Sequence, residues 1–179
     1  MDQIARVGTD MRPVCADVLY KAGMRQLPSG VCIVSTSHLG ARRGLTLTAL
    51  CSVSADPPTL LVCVNRSASA HDLIEHSGCF AVNQLAIEHN DEAQIFAGRR
   101  GIDDELRFKR GSWSILETGA PILEGAVANF DCRVTQTIQI ATHSIFVGEV
   151  AAARFDESRE PLVFLRGAYA RAALSSVQQ

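Results

Sequence analysis

The chain has 179 residues, of which 47% are hydrophobic and 20% are charged, and its net charge at pH 7 is −2. A chain of this length buries roughly two thirds of its unfolded surface, so we expect a single domain over residues 1–179. The small net charge gives no electrostatic basis for binding nucleic acid or an anionic membrane, and neither partner is predicted. Residues 1–12 lack the apolar centre of a signal peptide and no apolar run reaches bilayer length, so we expect a cytoplasmic protein.

The six cysteines contain no Cys-x-x-Cys pair, and most lie in apolar segments. Such thiols are typical of buried, unpaired cysteines that pack as small hydrophobic groups. His76 and Cys79 have the spacing of two metal ligands but no second ligand pair, and a zinc site needs clustered ligands. No metal site is predicted.

The first half of the chain changes from a helical to a strand pattern. Apolar residues recur at three- and four-residue steps over residues 10–27, which predicts a helix that ends near residues 28–30. Strands are predicted over 31–35, 44–53 and 59–64, with a break at the prolines of residues 55–58. In the strand 44–53 one face is apolar and the other carries the hydroxyl groups of Thr46, Thr48 and Ser52, continued by Ser54 just after the strand and interrupted only by Leu50.

The second half continues with short elements. After a polar loop at 65–69, Ser69 and Asp72 have the spacing of a capping box and predict a short helix. A strand over 79–85, a helix over 89–97 and a charged loop over 99–110 follow, and further strands are predicted over 113–116, 126–140, 143–155 and 161–165. Because strands outnumber helices and their links are short, the pattern favours a closed antiparallel β-barrel decorated with helices over a doubly wound sheet.

Several common catalytic signatures are absent from the sequence. It contains no GxGxxG after a strand, no GxxxxGK[ST], no GxSxG and no HExxH. An enzyme that used a nicotinamide cofactor on this chain would therefore bind it without the usual Rossmann phosphate loop.

Four collinear blocks carry a resemblance to a known family. They are LPSGV at 27–31, GLTLTALCSVSADPPTLLVCVNRSAS at 44–69, FDCRVT at 130–135 continuing to THSI at 142–145, and PLVFLRGAY at 161–169. This order resembles the flavin reductase family, whose members have the antiparallel, Greek-key-like split β-barrel that binds flavin. The reductase components of 4-hydroxyphenylacetate, phenol and chlorophenol monooxygenases are the most similar in pattern. The resemblance implies a barrel core at about residues 24–170.

The isoalloxazine ring of a flavin is a flat apolar body with a polar rim, so its site needs an apolar floor and hydroxyl or main-chain hydrogen-bonding groups. The hydroxyl-bearing strand supplies them, and the predicted ring contacts are Thr46, Leu47, Thr48, Ala49 and Ser52. The loop at 65–69 offers a guanidinium, hydroxyls and a helix start to the flavin phosphate, and its predicted contacts are Asn65, Arg66, Ser67 and Ser69. Arg99, in the charged loop, is a further candidate for the phosphate or the adenylate end of FAD.

His143 matches the histidine that the family places beside the nicotinamide, although its neighbours Ala141, Thr142 and Ser144 depart from the usual versions of that motif. An imidazole there hydrogen-bonds NADH without having to donate a proton. His38, His71, His76 and His89 are assigned no chemistry, although His71 is close enough to the phosphate loop to reach a ligand.

The resemblance implies an NADH-dependent reductase that transfers a hydride to FAD or FMN and supplies free reduced flavin to the oxygenase component of an aromatic monooxygenase. It also implies a homodimer with the flavin near the subunit interface. The relatives that serve phenolic hydroxylases favour FAD and NADH, while FMN and NADPH stay open. The alternatives are a split-barrel module that binds flavin without turnover and an enzyme similar to pyridoxamine-phosphate oxidase.

Overall fold

The computed structural model describes residues 17–98 and 100–172. Its α-helices are α1 (Asp17–Met24), α2 (Ser69–Ser77), α3 (Asn90–Phe96) and α4 (Asp104–Arg107), and a 3-10 helix (Ile87–His89) precedes α3. The first seven strands are β1 (Ser29–Gly30), β2 (Cys32–His38), β3 (Ala41–Leu47), β4 (Leu50–Ala55), β5 (Pro58–Asn65), β6 (Cys79–Gln84) and β7 (Trp113–Ile115). The remaining strands are β8 (Pro121–Leu123), β9 (Ala128–Ile140), β10 (His143–Phe155), β11 (Leu162–Leu165) and β12 (Ala168–Arg171). The start of the first predicted helix, at residues 10–16, and Arg99 lie outside the described residues.

The main sheet has seven antiparallel strands in the order β3-β2-β6-β9-β10-β5-β4. Its two outermost strands, β3 and β4, are consecutive in the chain and are separated only by Thr48 and Ala49. Two residues span less than roughly 10 Å, so the two edges of the sheet must meet there and the sheet curls into a barrel. The predicted antiparallel barrel is confirmed, and the barrel is split at this link.

The prediction of one strand over residues 44–53 is wrong. β3 pairs with β2, whereas β4 pairs with β5, at the opposite edge of the sheet. The chain therefore leaves one edge and joins the other at residues 48–49, where Leu50 N–H donates to the Thr48 carbonyl at 3.0 Å. The alternation of apolar and hydroxyl residues is interrupted only at Leu50, the first residue of β4, and resumes in the same phase, which is why the sequence pattern gives little sign of the break.

The barrel interior is filled by side chains from β2, β5, β6, β9 and β10. Val62, Phe80 and Phe146 are fully buried at its centre. Strands pack closely there, because a Cβ atom at Gly148 of β10 would lie 2.7 Å from the Phe80 ring. A second cluster of buried side chains lies under α3 and contains Phe96, which packs edge to face against Phe108 and at a tilt against Trp113.

The structure shows where helix α2 begins and what the charged segment contains. Ser69 is not the N-cap of α2: it is the first helical residue, and the N-cap is Ala68, whose side chain makes no capping hydrogen bond. The charged segment after Gly98 contains the single turn α4, where Asp103 accepts a hydrogen bond from Glu105 N–H. Within residues 17–98 and 100–172, the structure has no helix with the length and apolar character needed to cross a membrane.

Candidate active site

Three chain segments meet at one end of the barrel. Cys63, near the end of β5, donates its N–H to the Ala49 carbonyl at 3.1 Å, and β5 ends two residues later at Asn65. His143, the first residue of β10, lies opposite Asn65 in the strand register. The structure therefore brings together the link at residues 48–49, the start of the predicted phosphate loop, and the predicted nicotinamide-side histidine.

A cavity of about 160 Å³ opens beside the link. Its lining residues, from β3, the residue just after α3 and the β11–β12 hairpin among others, are Val31, Thr46, Leu47, Thr48, Ala97, Phe164 and Tyr169. A second cavity of about 230 Å³ shares Thr48 and Phe164 with the first. The Phe164 and Tyr169 rings pack edge to face, with their centroids 5.5 Å apart. Apolar side chains and strand backbone thus form a surface suited to a flat ring with a polar rim.

Thr46 lines this cavity but its hydroxyl has a structural partner. Thr46 Oγ1 donates to the Ala93 carbonyl at 2.8 Å, which ties β3 to α3. The oxygen keeps its acceptor capacity toward the cavity, whereas its proton is engaged. Thr48, in contrast, is exposed at the cavity rim.

The loop at residues 65–69 is organised by Asn65. Asn65 Oδ1 accepts hydrogen bonds from both the backbone N–H and the hydroxyl of Ser67, each at 2.9 Å. This Asx-turn directs the chain into α2, and the Ala68 N–H donates to the Asn65 carbonyl at 2.9 Å. The sequence alone predicted these residues as phosphate contacts; the structure shows that the Asn65 amide shapes the loop.

The same loop presents positive charge and backbone donors. Arg66 is exposed, and its Nη1 lies 3.4 Å from the Ala141 carbonyl, a long contact for a hydrogen bond. Ser69 opens the nine-residue helix α2, whose first turn has no side-chain cap from Ala68. A guanidinium beside the start of a helix is an arrangement that favours an anion such as a phosphate.

His143 stands at the tip of the β9–β10 hairpin. The hairpin turn consists of Ala141 and Thr142, and Ala141 has a φ of 49°, in the left-handed region. The His143 ring is exposed, and its Nδ1 lies 2.9 Å from Thr142 Oγ1. A neutral imidazole in this position can orient a polar ligand group.

Cys63 is the cysteine bonded to the link at residues 48–49. Burial raises the pKa of the Cys63 thiol, and the neighbouring Cys51 raises it further. A protonated thiol is a poor nucleophile. This arrangement gives no support for covalent catalysis by Cys63.

The structure separates one predicted contact from the others. Ser52 lies three residues beyond Ala49 along β4 and lines a different cavity, of about 310 Å³, together with Phe130 and Val150. Arg99 lies outside the described residues. Sequence reasoning missed Phe164 and Tyr169 as cavity residues, although the block at 161–169 already stood out as part of the family pattern.

These features fit a flavin. The apolar cavity wall beside Leu47 and Phe164 suits the ring, and Arg66 with the start of α2 suits the phosphate. The exposed imidazole of His143 stands on the outer side of the same end of the barrel. The fold and site thus define a split-barrel protein of the flavin-binding class.

Comparisons with known proteins agree with this class. The flavin reductase like domain matches residues 24–173, so the chain belongs to the flavin reductase family. It is 40% identical over 162 residues to "FMN reductase (NADH) RutF" of Ancylobacter novellus, an alignment that covers 90% of this chain and 88% of the relative. The relative's name describes a reductase that acts on FMN with NADH.

Two solved structures are similar throughout the barrel. The NADH:FAD oxidoreductase SgcE6 of Streptomyces globisporus C-1027, in complex with NAD and FAD fragments, is 31% identical with a TM-score of 0.81, covering 89% of this chain and 94% of that one. The flavin reductase of the styrene monooxygenase of Pseudomonas putida S12 is 29% identical with a TM-score of 0.77, covering 87% and 98%. The chain is therefore an oxidoreductase that acts on flavin, and its antiparallel split barrel is the fold of these enzymes.

Proposed function

We propose that this protein is a cytoplasmic NADH-dependent reductase that reduces FMN and FAD as exchangeable substrates and passes the free reduced flavin to an oxygenase. The observation that carries the proposal is the meeting of the link at residues 48–49, the loop at 65–69 and His143 at one end of the barrel. When bound there, the flavin ring supplies the hydride-accepting chemistry. The protein's own residues bind the flavin and NADH, orient their rings and shield them from water.

Leu47 and Phe164 supply apolar contact to the ring, and the rim at Thr48 and Ala49 supplies a hydroxyl and main-chain groups for its polar edge. Arg66 and the first turn of α2 hold the phosphate. Because FMN and FAD share that phosphate, recognition by this loop supports the use of both.

The exposure of the site favours exchange over permanent binding. Thr48, Arg66 and His143 are all exposed. An open site supports a flavin that leaves after reduction, as a separate oxygenase requires. The similarity to a styrene monooxygenase reductase supports an oxygenase as the recipient.

His143 is assigned to the nicotinamide side. Its exposed ring can hydrogen-bond the carboxamide or a phosphate of NADH and so hold the dihydropyridine over the flavin. Holding two rings in reactive geometry is the main task of such a site, and no side-chain nucleophile is required.

We further propose that the protein is a homodimer that uses the outer face of β5, β9 and β10. Ile138 lies opposite Ile145 across β9 and β10, and Ile145 lies opposite Cys63 of β5. Ile138 and Ile140 are exposed although they are large and apolar. Contiguous apolar surface on an exposed sheet supports an interface, and His143 shares this face, which supports a site beside the second subunit.

The decisive measurement is NADH oxidation with FMN, FAD or neither, repeated with NADPH. We expect oxidation that requires added flavin, proceeds with both flavins and is faster with NADH. Flavin binding without turnover would favour a binding module, and oxidation of pyridoxamine phosphate would favour the oxidase-like alternative. Either result without flavin-dependent NADH loss overturns the proposal. Analytical ultracentrifugation of the protein at micromolar concentration measures its mass in solution and so tests whether it is a dimer.

A further inference from the structure

A buried hydrogen-bonded pair joins α2 to β10 behind the candidate site. The His71 side chain, in the first turn of α2, is only 4% exposed, and Ser144 of β10 is fully buried. His71 Nε2 lies 2.8 Å from Ser144 Oγ. The imidazole also packs against the buried Phe146 ring, with a centroid distance of 5.4 Å.

The direction of this hydrogen bond follows from the other side of the imidazole. His71 Nδ1 lies 2.8 Å from Asp72 Oδ1. A carboxylate only accepts hydrogen bonds, so Nδ1 carries a proton, and in the neutral imidazole Nε2 then accepts from the Ser144 hydroxyl. Glu75 Oε1 lies 3.9 Å from the same Nε2. Carboxylate, imidazole and hydroxyl follow one another here as they do around the activated serine of a catalytic triad. Ser144 is fully buried, however, and cannot meet a substrate. The pair therefore connects two elements and performs no covalent chemistry.

The two chain neighbours of His143 are both hydrogen-bonded to the loop at 65–69 or to α2. Thr142, just before His143, accepts a hydrogen bond from the Arg66 backbone N–H at 2.9 Å. Ser144, just after it, is hydrogen-bonded to His71 Nε2 at 2.8 Å. The loop at 65–69 and the helix that follows it thus hold the chain immediately before and after His143, and the buried bond is the one shielded from competition with water.

We propose that His71 is a positioning residue: through Ser144 it fixes His143 relative to the loop at 65–69, and so fixes the nicotinamide-side group relative to the flavin-side anchor. This inference rests on the proposed function. His71 touches neither flavin nor NADH, because its ring is buried. It acts through Ser144, and its effect is on the alignment of the two rings.

The test compares Ser144→Ala, His71→Leu, the double variant and His71→Gln with the wild-type protein at 25 °C. Ser144→Ala should lower kcat/KM for NADH about fivefold, no more than removal of the His143 imidazole itself, since small displacements of reacting groups cost rate, while the flavin Kd stays within about twofold. The double variant should be no slower than the worse single variant, because both changes remove the same hydrogen bond. His71→Gln keeps an acceptor for Ser144 and should recover most of the rate.

Ser35→Ala is the matched control, since Ser35 is a fully buried strand serine whose hydroxyl donates to the Pro121 carbonyl, away from β10. It should lower Tm without lowering kcat/KM for NADH. If Ser144→Ala likewise lowers only Tm, or if the effects of Ser144→Ala and His71→Leu multiply, the positioning role is wrong. A wild-type protein that shows no flavin-dependent NADH oxidation overturns the proposed function and this inference together, whereas an active wild type with an unaffected Ser144→Ala variant overturns this inference alone.

Discussion

His143 on β10 and Asn65 at the end of β5 are paired in antiparallel register. One residue begins the strand that carries the predicted nicotinamide contact, and the other begins the loop that carries the predicted phosphate contacts. Their pairing fixes the distance between the two halves of the site through the backbone of the sheet. Substitutions on the two sides should therefore separate the binding of flavin from the use of NADH.

The first such substitution is His143→Asn. Losing one hydrogen bond to NADH costs about 1 kcal/mol, so kcat/KM for NADH should fall roughly five- to tenfold while the flavin Kd is unchanged. Initial rates at varied NADH and flavin fluorescence titrations measure the two quantities. The control is His38→Asn, which should leave both kcat/KM for NADH and the flavin Kd unchanged. The His38 ring lies 6.4 Å from that of His76, at the far end of α2. A flavin Kd that rises in His143→Asn would move His143 to the flavin side.

The complementary substitution is Arg66→Ala. Hydrogen bonds to charged groups are worth about 1.5–3 kcal/mol, so the Kd for FMN should rise by about tenfold or more, with a smaller change in kcat at saturating flavin. Raising the salt concentration should narrow the difference in FMN Kd between Arg66→Ala and the wild-type protein, because the contact between Arg66 and the phosphate is exposed and ionic.

Arg159→Ala serves as the control for Arg66→Ala. Arg159 is also exposed and pairs with Asp156, just beyond the other end of β10 from His143. Removing such a surface pair costs little stability. Equal losses of FMN affinity in both variants would show that the loop at 65–69 does not hold the phosphate.

Much of this site is visible in the sequence, and the parts that are not have identifiable causes. Asn65 and Arg66 stand out because polar residues follow an apolar strand, whereas His143 stands out only through the resemblance to the family. The break at residues 48–49 leaves one sign only, the apolar Leu50 at a position where the alternation would place a hydroxyl residue, because pairing partners decide where a strand ends. Ser52 has the same local pattern as Thr48, but tertiary pairing places it beside another cavity.

The sequence pattern does not show that Phe164 and Tyr169 line the cavity, for a related reason. Phe164 and Tyr169 are about 120 residues away from Thr48 in the chain and reach it only because β11 pairs with β1. Periodicity reports which face of an element is buried, whereas the contacts between distant elements depend on sheet order. His71 was assigned no chemistry, and its partner Ser144 is likewise distant in sequence.

The buried cysteines predict a pH dependence. Burial raises the pKa of the Cys32 thiol to about 12, and burial followed by the charge of Asp131 raises the pKa of the Cys132 thiol to about 12. At pH 8 only about one folded molecule in ten thousand would carry either thiolate. Iodoacetamide should therefore leave Cys32 and Cys132 unmodified in the folded protein and label both in urea, as mass spectrometry of peptides will show.

The same shifts set the direction of the effect on stability. Between about pH 9, the ordinary value for a thiol, and pH 12, only the unfolded chain releases these protons. Both thiols thus contribute stability that is complete below about pH 9 and is lost as the pH rises. Rapid labelling of Cys32 or Cys132 at pH 8, under conditions where circular dichroism shows a folded protein, would contradict this account.

Gly148 tests the packing that supports β10. A Cβ atom there would lie 2.7 Å from the Phe80 ring and 2.9 Å from the Cys132 Cβ, and neither neighbour is at the end of a flexible exposed chain. Gly148→Ala should therefore destabilise the protein by about 1–3 kcal/mol through overpacking. Gly23→Ala in α1, where a Cβ atom meets nothing within 4 Å, is the control and should be neutral or stabilising because alanine favours a helix. Urea unfolding of both variants measures the difference, and equal free energies of unfolding would mean that the contact between β10 and the Phe80 ring is loose enough to accept a methyl group.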